Sequence, residues 1–120
     1  MRFTVFMIPA VYQTKNGKKV DASFKPDPEM MEKMGRFNDE LKKAGVLLSL
    51  DGLQPLTTGA RLAFSGGKAF LTDGSSVQAE GVIGGYWMFE AKSKQQVVDL
   101  MKRCPAQDGD VIEIRQVFET

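Results

Sequence analysis

A chain of 120 residues, 42% hydrophobic and 26% charged, has the size of one globular domain with one core and no room for a second, so 1–120 is expected to be a single domain. Sixteen basic and fifteen acidic residues leave a net charge of +1, too weak a field to draw the chain to nucleic acid or an anionic membrane, and no apolar run approaches the roughly 20 residues of a membrane-spanning helix. The absence of histidine and the single cysteine, Cys104, exclude Ser-His-Asp and Cys-His nucleophile activation, an intrachain disulfide and zinc sites of His or Cys, so no metal and no cofactor is expected.

Residues 2 to 8 are β-branched and aromatic, with Phe3, Val5 and Met7 alternating against Arg2 and Thr4, which reads as a strand ended by Pro9. This run is too short and too poorly flanked by basic residues for a signal peptide, and with a lone cysteine it points to a cytoplasmic protein. From Pro9 to Pro26 there is no sustained period, four lysines (Lys15, Lys18, Lys19, Lys25) and a turn-forming Asn16-Gly17, so the segment is expected to be a long loop and the most mobile part of the chain. Asp27 as N-cap, Pro28 at the first helical position and the recurrence of Met30, Met34, Phe37, Leu41 and Ala44 predict an amphipathic helix that Gly45 terminates. Val46 to Leu50 is a short strand. Arg61 to Ser65 and Lys68 to Thr72 flank Gly66-Gly67 as a two-residue hairpin. Gly85 to Ala91 is an aromatic strand, and Ser93 with Gln96 forms a capping box for a helix carrying Val97, Leu100, Met101 and Cys104, stopped by Pro105. Val111 to Phe118 is the last strand, with Ile112 and Ile114 opposite to Glu113 and Arg115.

The order strand, helix, strand, hairpin, strand, helix, strand predicts an α+β fold, a ferredoxin-like antiparallel sheet with two helices on one face and an inserted β-hairpin. The second face of such a sheet is uncovered. An apolar face left in water is an association surface, and a homodimer closing sheet on sheet is the simplest remedy.

Several short segments in order, Ala44-Gly45-Val46-Leu47-Leu48, Gly52-Leu53-Gln54-Pro55, Thr72-Asp73-Gly74, Gly84-Gly85-Tyr86-Trp87, Arg103-Cys104-Pro105-Ala106 and Glu113-Ile114-Arg115, resemble the YCII-related family in its DGPF-domain branch. The resemblance implies a dimeric α/β-barrel-like fold. In place of the branch's Asp-Gly-Pro-Phe the chain has Asp73-Gly74-Ser75-Ser76, and Asp51 stands where a Glu usually precedes Gly-Leu. Related proteins outside the branch carry a histidine and an aspartate proposed as catalytic, and here the histidine has no counterpart.

The candidate catalytic groups are therefore carboxylates. Asp73 opens an Asp-Gly pair and has two readings: a turn residue bonding its own backbone, or a partly desolvated general base with a raised pKa. Asp51, in Asp-Gly-Leu-Gln-Pro, repeats the choice, and if the two converge they could divide acid and base roles. Gln54 in the following loop, Trp87 and Arg115 are the candidate substrate-binding residues. Trp87 and Tyr86 alternate, so only one of them faces the helices. Arg115 either pairs with Glu113 or holds an anionic substrate. A pocket is expected between the sheet and the loops at 9–26, 51–59 and 73–84. Three functions remain open on the sequence: a small cofactor-independent enzyme using a carboxylate base, a noncatalytic module that binds a small molecule or interacts with a partner, and a purely structural dimerising domain.

Overall fold

The computed structural model describes residues 1–13, 23–77 and 81–119. Strand β1 (Arg2–Ile8) sits in the interior of a four-stranded antiparallel sheet, bonded on one side to β5 (Gly85–Glu90) and on the other to β6 (Val111–Gln116), with β2 (Leu47–Gly52) on the far edge of β5. The order β2-β5-β1-β6 is that of a ferredoxin-like α+β fold.

Each helix is the crossover between two parallel strands. Helix α1 (Pro28–Lys43) links β1 to β2, and α2 (Lys94–Met101) links β5 to β6. Their ends follow from local chemistry. The Asp27 carboxylate accepts from the Glu29 N–H at 3.0 Å, Pro28 takes the first position, and Gly45 leaves the helix with φ +75°. Ser93 Oγ accepts from the Gln96 N–H at 3.1 Å, while the Gln96 amide reaches one residue past the cap to accept from the Lys92 N–H at 2.8 Å. α2 ends at Met101, a turn earlier than the sequence suggests, and residues 103 and 104 tighten into bonds to Leu100 O and Met101 O ahead of Pro105, whose ring is incompatible with the helix that would precede it.

Alternation fixes what each strand buries. Phe3 and Val5 face Phe89 and Trp87 across the β1–β5 ladder, and against them pack Phe37 and Leu41 from α1 and Val97 and Met101 from α2. Both helices therefore lie on one side of the sheet, and the molecule is a slab of 43 × 40 × 20 Å. The other side carries two clear rows across the strands: Asp51, Tyr86, Phe6 and Glu113 in one, and Ser49, Met88, Thr4 and Arg115 in the next. Among the described residues these rows stay accessible: Ser49, Asp51, Glu113 and Arg115 are exposed, and Thr4, Phe6, Tyr86 and Met88 are partly so.

β3 (Ala60–Ser65) and β4 (Lys68–Asp73) form a separate two-stranded ribbon. Its turn is Gly66-Gly67, with φ of +58° and +79°, the pair of left-handed residues that matches the twist of a two-residue hairpin. The ribbon is anchored at its base, where the 3-10 turn Leu56–Thr58 meets a second 3-10 turn, Gly74–Ser76, and the Gly74 N–H donates to the Gly59 carbonyl at 2.9 Å. Gly74 is obligatory there, because a Cβ would overlap the Leu56 carbonyl oxygen.

The expected loop at 9–26 begins as a fixed 3-10 turn, Ala10–Tyr12, tied down by the Ala10 N–H donating to Asp110 at 2.8 Å. Its Asn16-Gly17 turn and the lysines at 15, 18 and 19 lie outside the described residues. Among the described residues no helix is long and apolar enough to cross a membrane.

Candidate functional site

Where β2 ends, the chain enters a segment held by hydrogen bonds to distant parts of the fold. The Leu53 N–H donates to Gly84 O at 2.9 Å, the Gly84 N–H to Met7 O at 2.8 Å, and the Tyr12 hydroxyl to Leu53 O at 2.9 Å. Gly84 fits because Pro9 leaves no room for a side chain, its ring carbon lying 2.6 Å from where a Cβ would stand. Thr58 then closes its turn twice on Pro55 O, through its N–H at 3.0 Å and its hydroxyl at 2.9 Å.

The facing wall is set by one buried amide. Gln13, only 5% exposed, donates to Pro9 O at 2.7 Å and Val82 O at 3.1 Å and accepts from the Val82 N–H at 2.9 Å. Its side chain thus completes for Val82 the bonds that a neighbouring strand would supply.

Between these walls is a cleft of about 410 Å³. Leu53, Pro55, Leu56 and Ile83 give it apolar sides, and Gln54 and Arg61 supply its polar side chains together with Thr58. Among the described residues Arg61 has neither a hydrogen-bond nor an ion-pair partner. The volume suits a small molecule, and apolar walls with a few polar groups are the usual make-up of such sites.

Asp73 is elsewhere in its chemistry. It ends β4 and caps the 3-10 turn that follows, accepting from the Ser75 N–H at 2.9 Å and the Ser75 hydroxyl at 2.7 Å. Those two bonds favour the charged form and hold the carboxyl below its ordinary value of 3.8, and the group is fully exposed. Of the two readings of Asp73, this geometry is that of the turn residue that bonds its own backbone, with the carboxylate facing solvent.

Asp51 lies on the open face of the sheet, where its Oδ2 accepts from the Tyr86 hydroxyl at 2.7 Å. That bond keeps Tyr86 protonated to a pH above the ordinary tyrosine range. Asp51 and Asp73 share no interaction, each carboxylate being engaged by a different partner. Arg115 is on the same open face and pairs with Glu113 at 3.3 Å, both side chains being substantially exposed. Trp87 is 5% exposed on the helix side, its ring edge-on to Phe37 at 6.5 Å between centroids and its indole N–H donating to Asn38 at 2.8 Å. Of the residues singled out in the sequence, Gln54 lines the cleft, Asp51 and Arg115 share the open sheet face, Asp73 caps the hairpin base, and Trp87 lies in the core.

Arg61, Ile83 and Gln13 carry no local signal that would have marked them. Among the described residues no group of three or more Asp, Glu and Cys side chains is placed to hold a metal ion.

A ferredoxin-like sheet with an inserted ribbon, and a cleft where that ribbon meets the sheet, define the class of protein. The sequence profile of the YCII-related domain matches residues 7–120, and the chain belongs to the YCII-related family. No curated protein matches it.

Proposed function

We propose that this YCII-related domain is a noncatalytic binding module for a small, apolar-bodied anion, held in the cleft between residues 53–61 and 81–83. The observation that carries the reading is Arg61, a guanidinium that lines a mainly apolar cleft and has no partner among the described residues, with the Gln54 amide in the same lining. A planar fork of donors matches a carboxylate or phosphate, and the surrounding Leu53, Leu56 and Ile83 would cover the ligand's hydrocarbon. The carboxylates argue for binding without turnover, since Asp73 is spent on Ser75 and its pKa is lowered where a base needs it raised.

The test is thermal unfolding with a series of small branched and aromatic carboxylates, each beside its neutral amide. A ligand at a hundred times its Kd adds about 2.7 kcal/mol to stability, enough to read as a rise in Tm. The reading expects carboxylates to stabilise the native chain, amides to do so much less, and Arg61→Gln to lose the difference. Equal effects of acids and amides, or an undiminished effect in Arg61→Gln, would refute it.

A catalytic reading has one observation in its favour, the 2.7 Å Tyr86–Asp51 pair on the open face, which joins a carboxylate to a phenol that retains its proton. In that reading Asp51 is the base and no cofactor takes part. Asp51→Asn would then abolish turnover of a ligand while its binding survives.

A further inference from the structure

Ile83 is a gap in the hydrogen bonding of the cleft wall. On one side of it Val82 has both main-chain groups bonded to the Gln13 amide, at 2.9 and 3.1 Å. On the other, Gly84 donates to Met7 O at 2.8 Å and accepts from the Leu53 N–H at 2.9 Å. Among the described residues Ile83 has neither its N–H nor its carbonyl bonded, although it lines the cleft and is 38% exposed. Residues 82–84 run into β5 without a turn or bend. In extended chain successive residues turn their main-chain groups to opposite sides, so with Val82 committed to Gln13, Ile83 offers one donor and one acceptor on the side away from it. Across the cleft the carbonyls of Leu53, Pro55 and Leu56 are already taken, by the Tyr12 hydroxyl, by Thr58 and by the Gly59 N–H. A lone carboxylate has no hydrogen to give, so it can answer Arg61 but leaves the Ile83 carbonyl with nothing to accept.

We propose that the anion taken by the cleft is an apolar amino acid with an acylated nitrogen and a free carboxylate, paired with Ile83 as an added strand pairs with a sheet edge. This rests on the reading of the cleft as an anion site and adds the ligand's N–H to it. The ligand's N–H donates to Ile83 O and one carboxylate oxygen accepts from the Ile83 N–H, the two bonds that opposed residues of an antiparallel pair exchange. The other carboxylate oxygen is left for the Arg61 guanidinium, and the side chain for the apolar surface of Leu53 and Leu56. A small acylated amino acid and the C-terminal residue of a peptide present the same set of groups.

The lining explains why the nitrogen is acylated. It holds one charged side chain, Arg61, and no carboxylate. A free amino acid would bring an ammonium into an apolar cleft beside a guanidinium, with no protein charge to balance it, whereas an acylated nitrogen is neutral and still donates. The volume of about 410 Å³ is within the roughly 300–1,000 Å³ of small-ligand sites. Gln13 has a part in this: by bonding both groups of Val82 it fixes the segment whose next residue meets the ligand.

The test is calorimetric titration of the native chain with N-acetylleucine, with its ester analogue 2-acetoxy-4-methylpentanoate, in which oxygen replaces the N–H, and with leucine. N-acetylleucine is expected to bind about tenfold more tightly than the ester, which leaves the Ile83 carbonyl unpaired, and leucine to bind more weakly than either. Amide hydrogen exchange supplies the second readout: N-acetylleucine should slow exchange at Ile83. Equal affinity for N-acetylleucine and the ester, with both lost in Arg61→Gln, overturns the pairing with Ile83 and leaves the anion site standing. Binding of neither acid overturns both. Leucine binding as tightly as N-acetylleucine, or unchanged exchange at Ile83, also overturns the pairing. An acetylated tripeptide ending in leucine then identifies the source. Tighter binding than N-acetylleucine assigns the site to peptide ends, weaker binding to the small acylated amino acid, and either upholds the shared chemistry.

Discussion

Replacing Gly74 by alanine is the most sensitive probe of the hairpin base. The added Cβ would overlap the Leu56 carbonyl oxygen and stand 2.8 Å from the Gly59 oxygen. Both obstacles are backbone, so no side-chain rotation relieves them, and the two 3-10 turns must separate. Separation breaks the 2.9 Å bond from the Gly74 N–H to Gly59 O. Overpacking costs about 1–3 kcal/mol and the lost hydrogen bond about 0.5–1.5 kcal/mol, together about 2–4 kcal/mol. At this chain length the unfolding entropy converts each kcal/mol to about 4 °C, so Tm should fall by about 8–16 °C. Gly35→Ala is the matched control. Gly35 is inside α1 with nothing within 4 Å of a Cβ, and alanine there should stabilise by about 0.5–1 kcal/mol. Urea unfolding of the two variants, followed by Trp87 fluorescence and far-ultraviolet circular dichroism, measures both. A Gly74→Ala chain within about 0.5 kcal/mol of the native one would refute the close approach of the two turns.

Gln13→Ala removes three hydrogen bonds and strands the Val82 amide in a buried site, so urea unfolding should show a loss of about 2–4 kcal/mol, and a loss near zero would mean that Gln13 is no clamp. Asp73 has a folded pKa below its ordinary 3.8, so the stability it contributes is present above that value and is lost as pH falls through the lowered one. Asp73→Asn should leave neutral-pH stability nearly unchanged and flatten the acid limb of a stability-pH curve, whereas Asp73→Ala should weaken the chain at neutral pH as well. Burial, helped by Asp110, pushes the Cys104 thiol up to about 11. Against a free thiol near 8.5, its thiolate fraction at pH 8 is lower by about two hundredfold, and its reaction with a disulfide reagent should slow by a similar factor until the chain is unfolded.

Much of the fold could be read along the chain because its determinants are local. Asp27-Pro28, Gly45, Ser93 with Gln96, and Gly66-Gly67 each act within a few residues, and each does in the structure what its type demands. The alternation in β1 likewise places Phe3 and Val5 in the core. Periodicity separates Trp87 from Tyr86 but cannot say which of them meets the helices; that follows from the register of Trp87 with Val5, 82 positions away in sequence. The cleft is less legible still. Arg61 and Ile83 come together because Gly74 lets one turn press on another and because Gln13 holds Val82 from 69 residues away. The Asp-Gly pair reads as a possible base for the same reason that it works as architecture: a short carboxylate that bonds the backbone ahead of it, followed by a residue with no side chain to obstruct.

Amide chemical-shift mapping decides whether the cleft at residues 53–61 and 81–83 is the ligand site. Titration of the labelled chain with a carboxylate selected by thermal unfolding should shift the amides of Leu53 to Arg61 and Gly81 to Ile83, saturably, with the response much reduced in Arg61→Gln. Saturable shifts centred instead on Asp51, Tyr86 and Arg115 would contradict it and move the site to the open face of the sheet.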